Sequence, residues 1–276
     1  MILKHTKIVI ALMVIFTGFA LFARILNNKT MISPGIVHHF NLNEQTANYL
    51  TTKEDLLSWL ENEEKSVWNE LKKTINLSFE ECEALKKNRR AEYKEDLIIV
   101  RENYATKEPL SPETINCIQS IMREFKIDPT TVPIVGCNHG SAAAATDEFI
   151  LVDEKAFNSH TLKVKKFVVG HELIHFLKQD HSTNFFINEY AKKSHFNHNN
   201  NNNPINRLSQ LHELRADILS SLHGEDYAQG SILFFNEHIE KHGELSGPPC
   251  HPTSSLRLQL GNKIAALDTL SLTQQA

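Results

Sequence analysis

His171-Glu172-Leu173-Ile174-His175 places two imidazoles four residues apart with a carboxylate beside the first. On a helix that spacing brings both rings onto one face, about one turn apart. Neutral imidazole nitrogen is a favoured zinc ligand, and a zinc ion that does chemistry takes three protein ligands and leaves its fourth position to water. Coordination lowers the pKa of that water toward about 7, so a carboxylate at Glu172 can take its proton and pass it to a leaving amine. The pattern points to His171 and His175 as metal ligands and to Glu172 as general base of a hydrolysis. Three fixed positions also recur by chance. The weight of the pattern therefore rests on a third ligand and on the helix that carries it.

Two residues compete for the third position. His181 stands ten residues after His171, where the HExxHxxGxxH pattern of the metzincins places its third histidine. The turn glycine of that pattern is Lys178 here, and no methionine follows Met122 to form a Met-turn beneath the metal. Glu213, in His212-Glu213-Leu214-Arg215-Ala216-Asp217, is the rival. Asp217 lies one turn beyond it on the same face, where it can accept a hydrogen bond from the free nitrogen of a zinc-bound histidine and fix its tautomer. Taken alone, the pair reads as an exposed acid cluster with Arg215 as a salt-bridge partner of little value. HExxH followed by ExxAD is more specific than either part. The expected set is His171, His175 and Glu213 on zinc, with Asp217 behind them.

With both motifs in place, residues 112–260 resemble the gluzincin metallopeptidases, the family of the CAAX prenyl endopeptidase and its bacterial heat-shock-membrane and periplasmic relatives. HELIH is similar to the family's first zinc helix, ELRAD to its second, and residues 140–157 to the strand segment before the first. The resemblance implies a zinc-dependent endopeptidase acting on a protein or peptide. It also implies an α+β, mainly helical zincin-like domain with a small sheet, whose edge strand takes an extended substrate by backbone hydrogen bonds. Cys250-His251-Pro252 through Arg257 is similar to the family's late His-Pro segment. By that likeness His251 faces the site and helps hold the oxyanion, and Arg257 is structural. An asparagine-rich tract lies between the two motifs, where polytopic members carry membrane helices, so a soluble or singly anchored domain is implied. A zinc-binding chaperone or adaptor without turnover, and a cell-wall amidase, are the alternative functions.

The elements that must position these residues are legible in part. Phe167, Val168, His171, Ile174 and His175 keep a helical period over about 162–178, and Leu208, Leu211, Leu214, Ile218, Leu219 and Leu222 form one broad face of a helix over about 204–223. The tract 195–204 between them (HFNHNNNNNP) has no capacity for a core and reads as a loop. Upstream, Ser111-Pro112-Glu113 opens a helix to about Phe125. Short apolar runs at 132–135 and 149–152, separated by Gly136, Gly140 and four alanines from Ala142, predict two strands. Further helices are expected over about 231–241 and 254–270, with a proline-rich loop at 248–252 between them.

Residues 26–110 form a helical extension without a chemical constellation. Thr52 with Asp55 reads as the capping box of an amphipathic helix to Ile75, and Ser78 with Glu81 opens another to about Glu95. The run 97–100 reads as a short strand. Packing or partner contact is the default role of this part.

The whole chain has 276 residues, 41% of them apolar and 22% charged, with a formal net charge of -4, which is ordinary globular composition. Lys and Arg are interleaved with Asp and Glu and form no basic stripe, so nucleic acid is not an expected partner. Cys82, Cys117, Cys137 and Cys250 lack the close pairing of a zinc knuckle and leave two disulfides or buried thiols open. Residues 8–23 are uncharged behind Lys4 and Lys7. As a helix they span roughly 24 Å against a hydrocarbon core of ~30 Å. They read as a signal peptide, with Gly18 and Ala20 before the cut, or as a membrane anchor. Either puts the catalytic part outside the cytoplasm, periplasmic, anchored or secreted. The expected division is 1–25 for that segment, 26–110 for the helical extension and 111–276 for the metallopeptidase domain, with oligomeric state open.

Overall fold

Thr52 and Asp55 cap the start of the first helix among the described residues, as their types require. The Asp55 amide donates to Thr52 Oγ1 at 3.0 Å and the Thr52 amide to Asp55 Oδ2 at 2.9 Å. Helix α1 (Lys53–Ile75) follows, buries Leu56, Leu60, Val67, Leu71 and Ile75, and stops at Asn76, whose φ of 55° is left-handed. The computed structural model describes residues 50–106, 108–138, 140–193, 203–243 and 251–273. The hydrophobic segment 8–23, most of the asparagine-rich tract and Pro248-Pro249-Cys250 lie outside them. Among the described residues no helix is long and apolar enough to cross a membrane.

The second capping box also forms, but its helix is shorter than its composition suggests. Helix α2 (Phe79–Asn88) ends at Arg89, which leaves helical geometry, and α3 (Arg90–Tyr104) begins at once. The run 97–100, expected as a strand, is part of α3. Tyr93, Leu97 and Val100 are buried at helical spacing, whereas Ile98 is 56% exposed, so the packing selects a period of 3.6 over one of 2.

Ser111 caps α4 (Pro112–Glu124), and a three-stranded sheet follows. Strand β1 (Ile134–Gly136) runs parallel to β3 (Ile150–Val152), and β2 (Ala143–Ala145) pairs antiparallel with β3 on its other side. The two expected strands are present, shifted by about two residues at β1, and the alanine tract adds a third at the edge. Val135 and Leu151 face one apolar cluster while Ile150 and Val152 face another, as the period of a strand dictates.

The remaining elements among the described residues are α5 (Glu154–Asn158), α6 (Leu162–Lys178), α7 (Asp180–Lys193), α8 (Pro204–Ser221), α9 (Glu225–His242) and α10 (Ser254–Thr273). Helix α9 starts six residues before the expected 231, because its first turn is also packed, through Tyr227 and Ala228. The described residues form a mainly helical α+β fold with one small sheet. Helix α6 occupies the centre, against α4, α8, α9 and β2. Cys82 and Cys117 are free thiols, Cys82 fully buried, so the four cysteines do not form two disulfides.

Candidate metal centre

Two glycines let the central helix approach its neighbours. A Cβ on Gly170 would lie 2.5 Å from Ser220 Oγ and 2.9 Å from the Phe125 ring, so α6 and α8 cross in close contact one residue before His171. Ser220 reinforces the crossing by donating its hydroxyl to the Phe167 carbonyl at 3.1 Å. Glu213 stands two turns before Ser220 on α8, and this crossing brings it to the imidazoles.

His171 Nε2 and His175 Nε2 are 2.9 Å apart, and Glu213 reaches them with Oε2 at 3.5 Å and Oε1 at 3.4 Å. One ligand atom from each of the three lies within 4.8 Å of the others. The far side of each ring is occupied by a carboxylate. His171 Nδ1 is 2.9 Å from Asp217 Oδ1, and His175 Nδ1 is 2.9 Å from Asp180 Oδ2. An ionised carboxylate only accepts, so each Nδ1 carries the proton and donates it, which leaves both Nε2 lone pairs aimed at a common point beside Glu213.

Two ring nitrogens and a carboxylate directed at one another repel unless a proton or a metal cation lies between them. The electrostatics of the cluster say the same. Burial pulls the imidazole pKa values down, yet the contacts of His171 with Asp217 and Glu213, and of His175 with Asp180 and Glu213, outweigh it and raise both. Burial pushes Glu213 up, but His251, His171 and His175 hold it well below the ordinary carboxylate range. The three side chains therefore favour positive charge at their shared point, and together they could hold a metal ion.

Glu172 turns toward the sheet. Its Oε2 accepts the backbone N–H of Ala145, at the end of β2, at 2.7 Å. Burial raises its pKa against the opposing pull of His171 and His175, which suits a group that must gain and return a proton. Asp217 is held from behind by Arg257 on α10, through Nε to Oδ2 at 2.6 Å and a terminal nitrogen to Oδ1 at 2.8 Å, and the same guanidinium lies 3.3 Å from Glu213 Oε2. Arg257 therefore sets two carboxylates of the cluster. His251 stands at the rim, 40% exposed, with Nε2 3.7 Å from Glu213 Oε1.

Of the residues singled out by sequence, the structure brings together His171, Glu172, His175, Glu213, Asp217 and His251. It does not bring His181 into the group of three. Its Nδ1 is 2.6 Å from the Tyr93 hydroxyl on α3. The sequence reading missed Asp180, which follows the left-handed Gln179 at the end of α6 and so turns back onto His175. An acid just past a helix end is too common to signal this. It also undervalued Arg215, which is buried and bridges Asp180 to Glu64 of α1. Compared with family models, with curated proteins and with solved structures, the chain gives no match in any of the three.

Proposed function

We propose that the protein is a zinc-dependent endopeptidase of the gluzincin type, exported or membrane-tethered by its N-terminal segment. The observation that carries this reading is the convergence of two Nε2 lone pairs and Glu213 on one point, with each opposite Nδ1 backed by a carboxylate. His171, His175 and Glu213 hold the metal. When bound, zinc supplies Lewis acidity and lowers the pKa of water.

The chain's own residues do the rest. Glu172 accepts a proton from the attacking water and delivers it to the leaving amine. Asp217 and Asp180 keep the imidazoles in the tautomer that ligates, and Arg257 holds Asp217 and Glu213 in register. His251, at the rim, presents a donor toward the oxygen on which charge develops. The outer edge of β2 offers backbone groups to an extended peptide, with Glu172 already tied to that strand. A general base beside the ligands favours turnover over a structural zinc in a chaperone or adaptor.

The test is a pair of variants assayed for metal content and for cleavage of casein or a peptide library. Glu172→Gln is expected to keep zinc and lose hydrolysis by at least about a hundredfold, the range of general-base contributions. Glu213→Ala is expected to lose the zinc itself. Wild-type cleavage that survives a chelator, or an unchanged rate in Glu172→Gln, would overturn the proposal.

A further inference from the structure

The two proposed ligand histidines are backed by unequal arms. Behind His171 the arm is short: Asp217 receives the fork of Arg257, and that same arginine returns to Glu213 at 3.3 Å. Behind His175 it is longer and leaves the central helices. His175 Nδ1 meets Asp180 Oδ2 at 2.9 Å, Asp180 Oδ1 accepts from one terminal nitrogen of Arg215, and the other terminal nitrogen donates to Glu64 Oε1 at 2.8 Å. Glu64 belongs to α1, in the extension that carries no chemical motif.

Arg215 depends on both ends of this bridge. Its side chain is only 8% exposed, and its Nε makes no hydrogen bond. Only the two terminal nitrogens anchor the guanidinium, one on each carboxylate. A planar fork fixed at two points holds its orientation, whereas one fixed at a single point rotates about that bond. Removing the Glu64 carboxylate would leave a buried terminal nitrogen without a partner and free the fork to leave Asp180. Asp180 would then no longer fix the ring of His175.

We propose that Glu64 is a positioning residue for the metal centre, acting on His175 through Arg215 and Asp180, so that helix α1 is a working part of the site. The proposal rests on His175 being a metal ligand. Its nearest control lies on the same seam. Glu70 of α1 pairs with Arg207 of α8, and Glu63 lies 3.9 Å from the same arginine. These pairs tie α1 to α8 just as Glu64 does, but Glu70 and Glu63 meet Arg207, whereas Glu64 meets Arg215, the arginine that holds Asp180.

Zinc affinity of the full chain, measured by competition with a chromophoric chelator, separates the two kinds of pair. Changes behind a ligand histidine cost about 10- to 100-fold in affinity, and Glu64 stands two links further out, so Glu64→Gln is expected to weaken zinc binding by roughly 10-fold. Glu70→Gln is expected to change it by less than about 2-fold, since it breaks an ion pair that is partly exposed to water. With cobalt in place of zinc, the visible absorption bands are expected to shift in Glu64→Gln and not in Glu70→Gln, which a loss of stability alone would not produce. Should Glu64→Gln fail to fold, Arg215→Lys, whose single ammonium is not a two-point fork, is expected to show the same loss. Wild-type affinity in the Glu64 variant, or in Arg215→Lys where that replaces it, or an equal loss in Glu70→Gln, overturns the proposal. A wild-type chain that binds no zinc sinks the functional reading first and this inference with it.

Discussion

His181 and Glu213 show how the same donor chemistry is accepted or refused by its surroundings. Both were open as third ligands in sequence, one by spacing from His171 and the other by the presence of Asp217. In the fold, Glu213 faces both imidazoles, while His181 Nδ1 shares a hydrogen bond with the Tyr93 hydroxyl and burial pushes the ring down to about 4 from its ordinary value near 6.5. That displacement has a consequence for stability with a definite sign. A histidine whose folded pKa is depressed stays neutral when folded but takes up a proton when unfolded, so its contribution is fully present above about 6.5 and is lost as pH falls toward about 4. Protonation of the unfolded chain over that window costs up to about 3 kcal/mol. His212, which burial holds at about 3, adds to the same slope. His181→Asn keeps a hydrogen-bonding group near the position of Nδ1, able to donate or accept, and does not titrate. It is expected to retain zinc and to flatten, without abolishing, the fall in denaturant midpoint between pH 6.5 and 4. Loss of zinc in this variant would return His181 to the ligand set, and an unchanged slope would refute the assignment of its titration.

The helices are held at the spacing the site needs by small residues, and two of these separate stability from geometry. Gly170 meets Ser220 and Phe125 on the crossing of α6 with α8, between the two helices that carry the proposed ligands. Gly230 of α9 meets the backbone carbonyl of Lys163, at the far end of α6. Alanine gains up to about 1 kcal/mol of helix propensity at either position, against an overpacking cost of about 1–3 kcal/mol. The Ser220 hydroxyl can rotate and the Lys163 carbonyl cannot, so Gly230→Ala is expected to lose more stability than Gly170→Ala. Zinc affinity is expected to fall only in Gly170→Ala, because only there are the ligand helices forced apart. Chemical denaturation and metal titration of both variants check the two rankings, and a larger affinity loss in Gly230→Ala would reverse the argument. Neither glycine announced its role in sequence. The helices that bear the proposed ligands, their caps and the motif residues were legible because each depends on nearby residues, as with Thr52 and Asp55 or Ser111 and Thr114. What was not legible depends on partners distant in sequence. Residues 97–100 have strand-forming types, and only burial against other elements makes them helical. The alanines of β2 carry no strand preference, and β3 recruits them by pairing. Asp180 is set behind His175 by the left-handed turn at Gln179, and Arg215 acquires meaning only once Glu64 arrives from α1.

At the scale of the whole molecule, sequence composition divides the chain at about residue 110, while the packing crosses that line. Leu56, Leu60, Val67, Leu71 and Ile75 of α1 belong to the same buried cluster as Leu208, Leu211, Leu214 and Ile218 of α8, and Leu256, Leu260 and Ile264 of α10 complete it. Helix α8 carries Glu213 and Asp217, so the face that positions these residues is backed directly by α1. Fully burying a side chain of this kind contributes about 1.5–3 kcal/mol, an upper bound because unfolded chains already bury some apolar surface. The five named residues of α1 alone are thus worth on the order of 10 kcal/mol, comparable with the ~5–15 kcal/mol that stabilises an entire domain. Without α1, the remainder would expose that apolar face of α8 and lose the Glu64 and Glu70 pairs as well. A chain beginning at residue 111 is therefore expected to lack a cooperative unfolding transition and to take up no zinc. The full chain is expected to unfold in a single step, with near-ultraviolet circular dichroism and tryptophan fluorescence coincident along a denaturant gradient. Trp59 and Trp68 both lie on α1, so fluorescence follows that helix while the dichroism follows the aromatic packing of the whole. Two separated transitions, or a truncated chain that folds and binds zinc, would show that the extension is dispensable and that the shared cluster contributes far less than its burial implies.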